Sequence, residues 1–143
     1  MSKKLLKQFA GRFRLMSYEF VSSDGKVLFP FGESPIGTFI NDGKGSYSAQ
    51  IMRRDRPKPA GSPTCDELKA IFIGYLAYFG TMEVNEKEGI IINHVEGCLN
   101  PEWVGTDQIR YYEFKENHLT LKTPAMKMGK SEVTGTLKWE RIE

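Results

Sequence analysis

The chain has 143 residues, 40% of them hydrophobic, 12% aromatic and 27% charged, with 20 basic and 18 acidic side chains for a net charge of +2. That length holds one domain and is too short for two cores, the composition excludes a disordered chain, and so even a balance of charge projects no field that would recruit nucleic acid. Cys65 and Cys98 are too few for a disulfide scaffold and neither stands at metal-ligand spacing from a histidine, so neither a metal nor a cofactor is expected.

Met1–Gln8 opens as a signal peptide would, but Leu5-Leu6 is followed at once by Lys7 and no apolar run develops. Nothing approaches the ~20 apolar residues of a membrane span. The expectation is a reducing, cytoplasmic setting with no membrane partner. Strand-like stretches then alternate with turn chemistry. Residues 13–21 end in Ser22-Ser23-Asp24-Gly25, 27–31 run into Gly32, 37–40 are followed by Asn41-Asp42-Gly43, and 46–52 come next. Arg53–Pro63 is a basic, proline-rich loop that cannot be the interior of a strand. Thr64-Cys65-Asp66-Glu67 reads as a capping box. Leu68, Ile71, Phe72 and Tyr75 recur at helical spacing, which predicts one amphipathic helix of about three turns lying with this stripe inward. Strands resume at 78–85, 89–97, 106–114, 119–123 and 132–140, with turns at 86–88 and 115–117. An all-β chain of about nine strands resolves its unpaired edges by closing on itself, which predicts a single domain over residues 1–143: a closed antiparallel barrel of about eight to ten strands capped by one short α-helix.

Pairing the strands through their turns sets Val84 opposite Ile90, Met82 opposite Ile92, Gly80 opposite His94 and Tyr78 opposite Glu96. The next pair sets His94 opposite Gln108, Ile92 opposite Arg110 and Ile90 opposite Tyr112, and the last puts Tyr112 by Leu121 and Phe114 by Leu119. This face is more apolar than its alternative, which carries Glu83, Asn85, Asn93, Asp107 and Glu113, and is therefore expected inside. It divides into an apolar end around Val84, Ile90, Tyr112 and Leu121 and a polar end, toward the helix, made of Tyr78, His94, Glu96, Gln108 and Arg110. Apolar walls with a few converging polar groups are the usual form of a small-molecule site. Tyr78, Met82, Ile92, Gln108 and Tyr112 are the candidate ligand-binding residues, with Gln50 and Trp103 at the mouth. His94, whose ring titrates near neutrality, Glu96 and Arg110, which can grip a carboxylate or enolate with two prongs, are the candidate catalytic residues. The plainer readings are a core histidine bonded to Glu96 or Gln108 and a structural Arg110–Glu96 ion pair. His118 belongs to a surface turn. No Ser/His/Asp nucleophile arrangement, phosphate-cradling glycine loop or metal cluster is present.

Gly11-Arg12-Phe13 and Trp139-Glu140-Arg141 resemble the barrel-closing signature of lipocalins, in which an aromatic after Gly-x packs beside a basic residue of the final strand; Phe13 stands where lipocalins have Trp. Pro30-Phe31-Gly32, Tyr47–Ile51, Ala77–Thr81, His94–Gly97, Asn100–Gly105 and Gln108–Arg110 resemble the bacterial and fungal lipocalin-like domain family over nearly the whole chain. The resemblance implies a calycin-type barrel. Most of that family has no assigned activity, and some barrels of similar look act as isomerases or cyclases in secondary metabolism. Three readings stay open: an intracellular barrel binding a small, largely apolar molecule with a polar end; a cofactor-independent isomerase or cyclase using His94, Glu96 and Arg110; and a filled, structural barrel with no ligand. Oligomeric state is not legible in the sequence.

Overall fold

The computed structural model describes residues 3–143. Helix α1 (Lys3–Lys7) leads into β1 (Gly11–Ser22), followed by β2 (Val27–Leu28), β3 (Ile36–Asn41) and β4 (Ser46–Met52). Helix α2 (Cys65–Ile73) separates these from β5 (Tyr75–Asn85), β6 (Ile90–Cys98), β7 (Asp107–Lys115), β8 (His118–Lys122), β9 (Met126–Met128) and β10 (Ser131–Arg141). Eight strands pair antiparallel in the order β1-β3-β4-β5-β6-β7-β8-β10, and β10 returns to β1, so the barrel is closed. β2 and β9 are short ribbons on β1 and β10. β9 and α1 have no counterpart in the sequence reading. Among the described residues no helix is long and apolar enough to cross a membrane.

The seam is held as the terminal motifs predict. Phe13 pairs with Arg141, and the Arg141 guanidinium lies 4.9 Å from the centre of the Phe13 ring and 5.7 Å from that of Phe114. The same guanidinium donates to the carbonyls of Ala10 and Gln8 just after α1, fastening that helix beneath the barrel. Leu6 and Phe9 then fill the lower opening, with the Phe9 ring edge-on to Tyr112 at 5.3 Å and to Phe114 at 5.0 Å. Above them Phe13, Phe39, Ile91, Leu119 and Trp139 are fully packed. Successive connections of such a barrel alternate between its ends. The tight turns at 42–45, 86–89 and 116–117 therefore share the sealed end with α1, and the long connections at 23–35, 53–74, 99–106 and 123–130 ring the other.

Helix α2 forms where its capping box starts it: the Glu67 amide donates to Thr64 Oγ1 at 3.1 Å, and the Thr64 amide to Glu67 Oε1 at 2.9 Å. Its apolar stripe is not buried, contrary to the sequence expectation. Leu68 is 52% and Phe72 47% exposed, and Tyr75 belongs to β5. The helix joins β5 through Gly74 alone, whose amide is bonded to Ala70 and Phe72 carbonyls, so that corner sets its direction. The preceding basic loop is tied down rather than free: Arg53 bonds Asp55 and the Pro30 carbonyl, Arg54 the Ser34 carbonyl, and Arg56 lies over Tyr75.

One strand is turned over relative to the sequence reading. The β5–β6 turn has four residues, Glu86–Gly89, closed by the Gly89 amide on the Glu86 carbonyl and with Gly89 at a φ of 67° that favours glycine. Counting Gly89 into the turn slides β6 by one residue, so Val84 pairs with Ile91 and Met82 with Asn93. Ile91, Asn93 and Val95 consequently face inward, and Ile90, Ile92 and His94 face outward. A bulge opposite Gly80 then restores phase, pairing Gly80 with Val95 but Phe79 with Gly97 and Tyr78 with Cys98. β7 and β8 keep the predicted faces, with Tyr112 opposite Leu121 and Phe114 opposite Leu119.

Gly80 is required by that bulge. A β-carbon there would stand 2.0 Å from the His94 carbonyl oxygen and 3.0 Å from the Glu96 amide, both backbone atoms. Gly80→Ala is expected to cost about 3 kcal/mol or more in urea unfolding, whereas Gly61→Ala, with nothing within 4 Å, leaves the midpoint nearly unchanged.

Candidate functional site

Above the packed lower half, the inward side chains become polar. β1 contributes Tyr18, β4 Tyr47, β5 Tyr78, β6 Asn93 and Cys98, and β7 Gln108 and Arg110. Tyr47 and Tyr78 meet edge to face at 5.8 Å, and Tyr78 meets Trp103 at 5.4 Å, on the 3₁₀ turn Pro101–Trp103 that borders the mouth. The Arg110 guanidinium lies 6.0 Å from the centre of the same indole. Tyr18, Tyr78, Cys98, Trp103, Gln108 and Arg110 are only half-buried although they face inward. Side chains on the inside of a closed sheet keep accessible surface only where space is left beside them, so the upper lumen is not packed shut.

Burial drives the Tyr18 hydroxyl up to about 12, with the Arg110 charge opposing it and Tyr78 reinforcing it. Burial likewise pushes up Tyr47, helped by Tyr78 and Cys98, and pushes up Tyr78 against the lowering effect of Arg110. All three phenols therefore stay protonated and can donate at neutral pH. Arg110 has no carboxylate within salt-bridge reach among the described residues, and its guanidinium donates to the Ile109 carbonyl at 2.7 Å. The buried Tyr47 hydroxyl and Asn93 Oδ1 have no hydrogen-bond partner among the described residues. Each such atom costs about 1–3 kcal/mol if nothing else meets it.

The sequence-derived candidates divide accordingly. Tyr78, Gln108 and Arg110 meet in the upper lumen, and Trp103 stands at its mouth. Met82 and Tyr112 are inward but lower, Met82 beside Asn41 and Tyr112 against Phe9. Ile92 is outward, between Glu83 and Ile109. Gln50 is outward as well, since Tyr47, Ala49 and Ile51 take the inner face of β4; it borders an outer groove of about 340 Å³ with Arg12, Arg14 and Thr38. Glu96 sits on the bulge and is exposed, so it makes no ion pair with Arg110. His94 is on the outer surface, because β6 is turned over. Tyr18, Tyr47, Asn93 and Cys98 also face inward and are not among the sequence-derived candidates: Asn93 because of the same slip in β6, and the tyrosines because β1 and β4 lie outside the hairpins whose tight turns fix a register.

The lipocalin-like domain family matches residues 10–142. The chain belongs to the lipocalin-like domain family. A relative in Aspergillus oryzae, a 4'-hydroxy-3'-methoxypropiophenone carrier protein, is 35% identical over 86 residues, covering 53% of this chain and 78% of the relative. No solved structure matches the chain significantly.

On the outside of this lipocalin-like barrel, His94 joins three strands. Its Nδ1 is 2.6 Å from Asp107 on β7 and its Nε2 3.1 Å from Glu83 on β5. The Asp107 contact first, then Glu83, raises the imidazole above its ordinary 6.5. A raised folded value means that the protonated ring stabilises the fold below the unfolded value and that this contribution fades as pH rises through the folded one. The imidazole should titrate above 6.5 by NMR, and the stability gap between wild type and His94→Gln should be larger near about pH 6 than near about pH 9. An imidazole titrating at or below its ordinary value would contradict this. Arg110→Ala, which breaks no ion pair, should shift unfolding by less than about 1 kcal/mol, against about 3–5 for a broken buried pair.

Proposed function

We propose that this lipocalin-like barrel is a carrier that holds a small, largely apolar molecule in its upper lumen, with the polar end of the molecule at Arg110 and the tyrosine hydroxyls. The observation that carries this reading is an inward arginine with no carboxylate partner among the described residues, ringed by half-buried aromatic side chains that leave space beside them. Small-molecule sites commonly combine apolar walls with a few such groups. The Aspergillus oryzae relative is named as a carrier of an aryl ketone, which supports the same class of function. A filled structural barrel accounts less well for accessible inward side chains. An isomerase or cyclase built on His94 lacks its base, since that ring faces outward between Glu83 and Asp107.

Nile red, an uncharged apolar dye, should bind saturably with about one molecule per chain and be displaced by an aryl ketone such as 4'-hydroxy-3'-methoxypropiophenone. Linear, unsaturable fluorescence with no displacement would refute the carrier reading.

A further inference from the structure

Resting on the carrier reading of the upper lumen, we infer that the ligand is held there as an oxyanion, an ionised phenol, enol or carboxylic acid on a flat aromatic body, with its charge on Arg110. The donors decide the polarity. Tyr78 meets Trp103 edge to face at 5.4 Å, the Arg110 guanidinium lies 6.0 Å from the centre of the same indole, and Tyr18 faces the same lumen from β1. A guanidinium has donors and no acceptor, and a protonated phenol donates most strongly to a charged oxygen. When a bound molecule displaces water from the half-buried Arg110, the cation is left without a counter-charge unless that molecule brings one, and this is costly. Glu96, the acidic neighbour of this cluster, is exposed on the bulge. A neutral carbonyl would accept hydrogen bonds but leave that charge uncompensated; an oxyanion meets both needs.

The walls favour a flat partner. Tyr78 and Trp103 meet edge to face, and Tyr18 stacks on Phe31 at 5.5 Å, so the space beside Arg110 is bordered by ring faces and edges. Binding of the acid form then proceeds with loss of its O–H proton to solvent, and the anion is what remains in the barrel. By linkage, a tenfold preference for the anion lowers the ionisation of the bound molecule by about one pH unit.

The test uses three probes of nearly one shape on the full chain: 4-nitrophenol, 4-nitrobenzoate and the uncharged 4-nitroanisole. At least one of the two anions should bind about tenfold or more tightly than 4-nitroanisole. Bound 4-nitrophenol should show its phenolate absorbance at a pH about one unit below the free compound. Arg110→Gln should abolish both differences, and Tyr78→Phe, which keeps the ring, should weaken anion binding more than binding of 4-nitroanisole. Equal binding of all three probes by the wild type, or an anion preference that survives Arg110→Gln, would overturn the oxyanion inference and leave the carrier reading standing. No saturable binding of any probe, 4-nitroanisole included, together with failed Nile red binding, would overturn both.

Discussion

The pairing of β1 with β10 is the constraint from which the rest follows. It converts a meander of strands into a closed surface in which every strand has one inner and one outer face. Arg141 serves this seam twice, by stacking on Phe13 and by bonding carbonyls at the end of α1. Cation–π contacts contribute about 0.5–2 kcal/mol and hydrogen bonds from a charged donor about 1.5–3, so one side chain closes the barrel and seals its floor together. With the floor sealed by Phe9 and Leu6, the lumen can open only at the end where the long connections lie.

Closure also makes register decisive, and this is where sequence reasoning was strongest and where it failed. Alternation on β5, β7 and β8 placed Tyr78, Met82, Gln108, Arg110 and Tyr112 inside, as found. β6 begins Ile90-Ile91-Ile92, a run with no alternation to choose a face. Its orientation hung on whether Gly89 belongs to the turn or to the strand, and a single residue exchanged His94 for Asn93. The available signals were two glycines: Gly89, which fits a turn better than a strand end, and Gly80, an isolated glycine inside a strand that marks the bulge. The capping box located α2, but helical periodicity says which side of a helix is apolar and not which surface it meets. The terminal motifs succeeded because they describe a contact, Phe13 with Arg141, rather than a spacing.

The two halves of the lumen show different compromises. Below, aromatic and aliphatic side chains fill the space and no function is asked of them. Above, Tyr18, Tyr78, Gln108 and Arg110, the last without a carboxylate partner among the described residues, keep accessible surface that a purely structural core would cover. Such local departures from the best packing are where binding sites are expected, since groups poised for a ligand are not simultaneously spent on one another.

The seam brings the first and last barrel strands together at the floor, where Arg12 and Glu143 are joined through side chains and backbone. A fluorescent protein, affinity tag or surface tether attached at either end therefore emerges on the side opposite the mouth, leaving the entrance clear. Linking those ends and cutting the chain at the 116–117 turn would reorder the strands in sequence while keeping the same ring of neighbours in space.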